Sequence, residues 1–159
     1  MFHIILHQPE IPPNTGNVIR LTANTGCQLH LVRPLGFSLD AAQVRRAGLD
    51  YHHMARVHEH DSLEACLAAV RPPRTWVVET TGRRCYSAIA YRPGDAFLFG
   101  RETKGLPEAA LNLFPSDQVV HIPMRPGNRS LNLSNSVALV IFEAWRQQDF
   151  SMAGDDGNP

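Results

Sequence analysis

Three short segments of this chain concentrate side chains able to hold a ligand. Residues 100–107 read GRETKGLP, residues 123–132 read PMRPGNRSLN, and residues 79–82 read ETTG. Gly100 and Gly105 let the backbone approach a bound molecule closely. Taken singly, each of these loops also reads as a pair of tight turns. Near the amino terminus, Asn17, Arg20 and Asn24 recur at helical spacing on one face, with Ile19 and Ala23 on another. That polar stripe is ordinary if it faces water and informative if it faces a pocket. Fourteen of the 15 basic side chains are arginine, Lys104 being the one lysine. Guanidinium groups bind phosphate bidentately and stack on bases, so the bias suits nucleic acid, although genomic base composition produces the same bias.

Other chemistries find little support. The chain has neither GxGxxG, nor the phosphate loop GxxxxGK[ST], nor a GxSxG nucleophile elbow. Cys27, Cys66 and Cys85 are odd in number and lack CxxC spacing, which argues against a disulfide framework or a structural zinc cluster. Cys27 and Cys66 read as packing residues. Among His52, His53, His58 and His60, the last two share one face of a strand. With no carboxylate or cysteine at ligand spacing, no metal site is expected.

The elements that position these loops follow from the apolar pattern. Residues 2–6, 29–32, 75–78, 96–99 and 119–122 read as strands, with 54–57 a weaker sixth. Helices are expected over 15–25, 41–47, 62–70, 107–113 and 132–148. Pro12 and Pro13 predict an extended approach to the first helix, Asn14 its N-cap and Gly26 its end, while Pro107 suits a first helical turn. Alternation of this kind predicts an α/β domain with a mainly parallel sheet, whose ligands bind at the carboxyl ends of the strands. All three loops follow such ends.

A length of 159 residues, 43% of them hydrophobic and 19% charged, fits one globular domain. The domain is expected over residues 1–148, followed by a flexible acidic tail at 149–159. Without Asp149, Asp155 and Asp156, 12 acidic side chains face 15 basic ones, so the domain carries about +3. No apolar run approaches the roughly 18 residues of a membrane span, and the start MFHIILHQPEIPP lacks a basic leader region, so a soluble cytoplasmic protein is expected. Residues 137–142, VALVIF, are apolar around the whole helix. Such a helix is either central to the domain or sandwiched between its own sheet and a second subunit, and a homodimer is the expectation.

Three segments together carry a resemblance. EIPPNTGNVIRLTANTG, LFGRETKGLP and IPMRPGNRSLNLSNSVALVIFEAWRQ resemble the three sequence motifs of the SPOUT methyltransferases, in their order and spacing. Residues 1–148 are similar to one branch, small enzymes that methylate the ribose 2′-hydroxyl of cytidine or uridine at the tRNA wobble position. RRAGLDYH at 45–52 also looks like that branch.

The resemblance implies an α/β parallel-sheet fold with a C-terminal trefoil knot, and a homodimer packed through the first and last helices. It implies bent S-adenosylmethionine held at Val78, Gly100, Ile122, Ser130 and Leu131. Arg20 matches the first-motif arginine; Asn14 and Glu102 match positions expected to orient Arg20 and the 100–106 loop, although Glu102 also reads as a loop-capping carboxylate. A guanidinium stays protonated, so Arg20 is expected to hold the neighbouring phosphate and stabilise the developing alkoxide, while phosphate or water takes the proton. The implied RNA partner is the tRNA anticodon arm, with Arg45, Arg46, Lys104, Arg125 and Arg129 as candidate contacts. Neither a membrane nor a metal is implied. Rival readings are a SPOUT enzyme acting on another tRNA position or on ribosomal RNA, and a knotted RNA-binding protein without turnover.

Overall fold

The computed structural model describes residues 1–150. A seven-stranded sheet runs in the order β3-β2-β1-β6-β4-β7-β5. Its strands are β1 (His3–His7), β2 (Gln28–Val32), β3 (Val57–His60), β4 (Thr75–Val78), β5 (Arg84–Cys85), β6 (Ala96–Phe99) and β7 (Val119–His121). Every neighbouring pair is parallel, so each connection must cross over a face of the sheet. β1, β2 and β3 wind towards one edge, and the later strands fill the other half.

The helices are α1 (Pro12–Thr25), α2 (Ala41–Arg46), α3 (Tyr51–Met54), α4 (Leu63–Val70), α5 (Glu108–Leu111) and α6 (Leu133–Arg146). Alternation along the strands divides the core in two. Ile4, Leu6, Leu29, Leu31, Phe97 and Phe99 pack with Val18 and Ile19 of α1 and with Val137, Val140 and Ile141 of α6. On the other face Ile5, Val32, Val77 and Leu98 pack with Leu63 and Cys66 of α4 and Ala110 of α5. Truncating a core side chain such as Ile141 to alanine costs about 2–5 kcal/mol. At the amino ends of β4 and β6, the fully buried Asp95 carboxylate accepts from Arg74 Nη2 at 2.6 Å and Nε at 2.9 Å, from Trp76 Nε1 at 3.1 Å and from the Arg92 amide at 2.9 Å. These four bonds tie Arg74, Trp76 and Arg92 to one carboxylate at this end of the sheet.

Several boundaries differ from expectation. α1 starts at Pro12, with both prolines in its first turn, where a missing N–H costs nothing. Ile11, not Asn14, is the N-cap; Asn14 lies inside the helix, buried, its side chain engaged elsewhere. Gly26 does end α1 in the left-handed conformation, at φ 73°. The strand expected over 54–57 lies at Val57–His60, because the Asp50 carboxylate accepts from the His53 amide at 3.0 Å and winds Tyr51–Met54 into a helical turn. β5 is two residues long, too short to leave an apolar pattern. Pro107 is the N-cap of α5 rather than part of its first turn.

α6 begins after Asn132, whose side chain accepts from the Asn135 amide at 3.3 Å. Its inner side, Val137, Val140 and Ile141, is fully buried, whereas Leu139 and Phe142 on the outer side are 43% and 44% exposed. Beyond Arg146, Asp149 and Phe150 remain attached to the helix end, the Phe150 ring lying edge-on to Trp145 at 5.2 Å between centroids. Residues 151–159, most of the expected tail, lie outside the described residues. Among the described residues no helix is long and apolar enough to cross a membrane.

Candidate active site

The tips of β4, β6 and β7 open into a cavity of about 560 Å³. Val78 ends β4, Gly100 follows β6 and Ile122 follows β7, and all three line it. Ser130, Leu131 and Asn132, which lead into α6, close one side, and Ile11 and Asn14 at the start of α1 close another. The three loops quoted from the sequence therefore share one space, although up to some fifty residues separate them along the chain.

Two glycines shape the loop after β6. Arg101 and Gly105 exchange backbone hydrogen bonds of 3.2 and 2.9 Å, folding the loop onto itself. A Cβ at Gly100 would lie 2.3 Å from the Gly105 carbonyl carbon, a clash of backbone against backbone. Gly105 has φ 64°, and a Cβ there would meet Glu79 Oε1 at 2.7 Å. Glu79 fixes the loop's far side, accepting from the Leu106 amide at 2.7 Å.

Glu102 fixes the near side. Its carboxylate accepts from the backbone amides of Glu10 at 2.8 Å and Ile11 at 3.1 Å, and from Asn14 Nδ2 at 3.2 Å. A carboxylate at a helix start meets unpaired amides and the positive end of the helix dipole. Asn14 Oδ1 in turn accepts from Asn132 Nδ2 at 2.9 Å, and Asn132 Oδ1 accepts from Ser134 Oγ at 2.7 Å. Because Asn14 must donate to a carboxylate and accept from an amide, its orientation is fixed. This chain of bonds joins α1, the loop after β6 and α6. Thr103 adds a parallel tie, donating from Oγ1 to the Glu10 carboxylate at 2.8 Å.

Of the residues singled out from sequence, Val78, Gly100, Ile122, Ser130, Leu131, Asn14, Glu102, Lys104 and Arg129 line this cavity. Arg20 does not. It lines a second cavity of about 450 Å³ on the other side of the first turn of α1, with Arg46, Phe37 and Leu39. Arg20 Nη2 donates to the Ala47 carbonyl at 2.6 Å, and among the described residues neither Asn14 nor Glu102 bonds to it. Arg45 and Arg125 line neither space and stand exposed. Glu79 and the Glu10–Thr103 tie were not expected; an acidic residue directly after an apolar strand was the available signal for Glu79.

Residues 1–142 match the SpoU rRNA Methylase family. A tRNA (cytidine(34)-2′-O)-methyltransferase of Methylovorus glucosotrophus is 56% identical over 153 residues, covering 96% of this chain and 99% of that protein. A solved structure described as giving insight into the 2-OH methylation of C/U34 on tRNA is 43% identical, with a TM-score of 0.84 over 94% of this chain and 97% of that one. At 23% identity, the SpoU methyltransferase AviRb from Streptomyces viridochromogenes, solved in complex with AdoMet, shares the fold at a TM-score of 0.79 over 93% of this chain and 60% of that one. Family match, high identity over nearly the full length and a shared fold agree, and the chain belongs to the SpoU methylase family.

Proposed function

We propose that this protein transfers the methyl group of S-adenosylmethionine to the ribose 2′-hydroxyl of the wobble nucleotide, cytidine or uridine 34, of tRNA. It would do so in the cytoplasm as a homodimer with a C-terminal trefoil knot, its catalytic domain spanning 1–148 and an acidic tail following. The observation that carries the reading is the convergence of the 79–82, 100–107 and 123–132 loops on one cavity, cross-tied through Glu102, Asn14 and Asn132. The likeness to the tRNA (cytidine(34)-2′-O)-methyltransferase supports the choice of nucleotide.

The cavity suits the cofactor. Its volume of about 560 Å³ falls in the range of small-molecule sites, and its walls mix apolar side chains with strand-end backbone at Val78, Gly100 and Ile122. These three, with Ser130 and Leu131, would hold it, and Arg101 Nε, buried there without a partner among the described residues, is one donor still to be satisfied. When bound, S-adenosylmethionine supplies a methyl carbon already activated by its sulfonium. What the protein must add is alignment. Glu102 and Glu79 serve that by pinning both sides of the 100–106 loop, since misplacement of about 1 Å costs roughly 100-fold in rate.

Arg20 would meet the RNA. One of its five N–H donors is engaged with Ala47 and holds the fork in place. Since α1 separates Arg20 from the cofactor cavity of its own protomer, its remaining donors would serve the cavity of the partner across the α1–α6 contact, gripping the phosphate beside the target ribose and stabilising charge on the 2′-oxygen while phosphate or water accepts the proton. Lys104 and Arg129 at the first cavity, Arg46 at the second, and Arg45 and Arg125 nearby offer charge to the anticodon arm. The exposed Leu139 and Phe142 suit an α1–α6 dimer contact that would cover them.

Incubation with methyl-labelled S-adenosylmethionine and bulk tRNA tests the reading. Label recovered as 2′-O-methylcytidine or 2′-O-methyluridine at position 34 is the expected result. Label at another position or in ribosomal RNA moves the target, and binding of tRNA without any label leaves a non-catalytic protein.

A further inference from the structure

Away from the cavity, the face of β1, β2 and β3 that turns towards α4 carries a row of imidazoles. Parallel register sets Ile5 beside His30, and His30 beside His58 with His60 one step along. His3 Nδ1 lies 3.0 Å from His30 Nε2, and His30 Nδ1 lies 3.0 Å from His60 Nε2. The His58 ring stacks on His30 at 5.2 Å between centroids. Only two residues connect β3 to α4, so the helix folds straight back over its own strand and brings Cys66 down onto the row. One ligand atom each of His30, His60 and Cys66 then lies within 4.8 Å of the others.

We propose that His30, His60 and Cys66 bind a divalent transition-metal ion of the zinc class. Two imidazole nitrogens and one sulfur are the donors such an ion selects over oxygen-seeking magnesium or calcium. Metal–nitrogen bonds of about 2.0–2.1 Å and metal–sulfur bonds of about 2.3 Å place tetrahedral ligands about 3.3–3.6 Å apart. The histidine pair at 3.0 Å must open by a few tenths of an ångström, and Cys66 must approach by up to about 1 Å. The one proton now between His30 Nδ1 and His60 Nε2 belongs to His60; as the ion takes its place, that proton passes through solvent to His60 Nδ1, and the ring stays neutral. The thiol S–H bond breaks as the metal–sulfur bond forms, and that proton leaves to solvent.

The surroundings support this set. His30 and Cys66 are buried, whereas His60 is half-buried and gives the ion a way in. His30 can donate from Nε2–H to His3 Nδ1, which directs its other nitrogen towards the ion, a common arrangement around ligating histidines.

The test uses untagged, reduced, chelator-treated protein titrated with cobalt(II) and then zinc(II). One equivalent of cobalt should give the visible bands of a tetrahedral site and a thiolate-to-cobalt charge-transfer band, both removed by zinc. Cys66→Ala should lose the charge-transfer band, His60→Ala should weaken zinc binding by at least about 100-fold, and His3→Ala should weaken it by about 10-fold. His60→Ala should still transfer methyl groups. Absence of these bands at stoichiometric cobalt, or bands unchanged in both His60→Ala and Cys66→Ala, overturns the proposal and leaves a hydrogen-bonded histidine ladder. Should Cys66→Ala fail to fold, the zinc affinity of His60→Ala decides alone.

Discussion

The two halves of the sheet are specialised in opposite ways. On the β4–β6–β7 side the residues of the candidate site sit in loops beyond the strand tips, and the strands, such as the fully buried AFLF of β6, are scaffold. On the β1–β2–β3 side the polar groups lie on the strands themselves, His3, His30, His58 and His60 facing α4. Tips permit glycine, positive φ and movement; a strand face permits only what the register sets side by side. The difference predicts that substitutions at the tips lower turnover or cofactor affinity while the chain still folds, whereas substitutions on the histidine face change metal affinity and stability and leave turnover.

The largest effect belongs to Arg20. Arg20→Ala should lower kcat/KM for tRNA methylation by about 1,000-fold, near the upper range for loss of one group that stabilises developing charge. Arg20→Lys should lose nearly as much, because an ammonium cannot hold phosphate bidentately. Near-normal turnover in the lysine variant would show that charge alone suffices. Glu102→Ala comes next, with a loss of about 100-fold at unchanged secondary structure, since it leaves three donors unpaired and frees the loop. If Glu102→Ala were silent and His60→Ala were inactive, the division between the two halves would be wrong.

Gly100→Ala tests the tips by packing. Its Cβ would lie 2.3 Å from backbone, so the loop must deform, at a cost of about 1–3 kcal/mol in unfolding free energy and with weakened cofactor binding. Both are readable by denaturant titration and calorimetry of S-adenosylmethionine binding. A smaller effect is expected from salt. With arginine and lysine contacts to phosphate, tRNA affinity should fall by about tenfold or more between 50 and 200 mM salt, while cofactor affinity hardly changes.

The same division explains what could be read from sequence. The tip loops are contiguous, so GRETKGLP and PMRPGNRSLN state their composition outright, and Val78, Gly100 and Ile122 were found at the ends of apolar runs. The strand-face cluster draws on β1, β2, β3 and α4, and no stretch of sequence contains more than part of it. His58 and His60 were visible as a pair, but the sulfur that completes the set comes from a helix read as ordinary packing. Asn14 misled for a related reason: its type suits an N-cap, yet its bonds run to Glu102 and Asn132, 88 and 118 residues away. Arg20 was legible as a helix-face residue, but the wall of α1 that separates it from the first cavity was not.

His7 lies where the two halves meet, and it gives the smallest and most local prediction. It ends β1, is 6% exposed, and its Nδ1 is buried without a hydrogen-bond partner among the described residues. Burial is the main reason its proton affinity falls below the ordinary 6.5, the Arg101 charge adds to the fall, and Glu64 of α4 opposes it. In the unfolded chain the imidazole gains its proton near 6.5; in the folded chain it does so only at lower pH. Between those values the unfolded state binds more protons, so the stability His7 contributes is intact above about pH 6.5 and is lost as the pH falls through that window. His7→Gln should therefore flatten the acid limb of the stability curve by at most one proton, about 1.4 kcal/mol per pH unit. Denaturant midpoints measured from pH 7.5 down to 5 read this directly. If Arg101→Gln gave His7 back an ordinary titration, the tip loop would be acting on the strand face, and the two halves would be electrostatically coupled through this one residue.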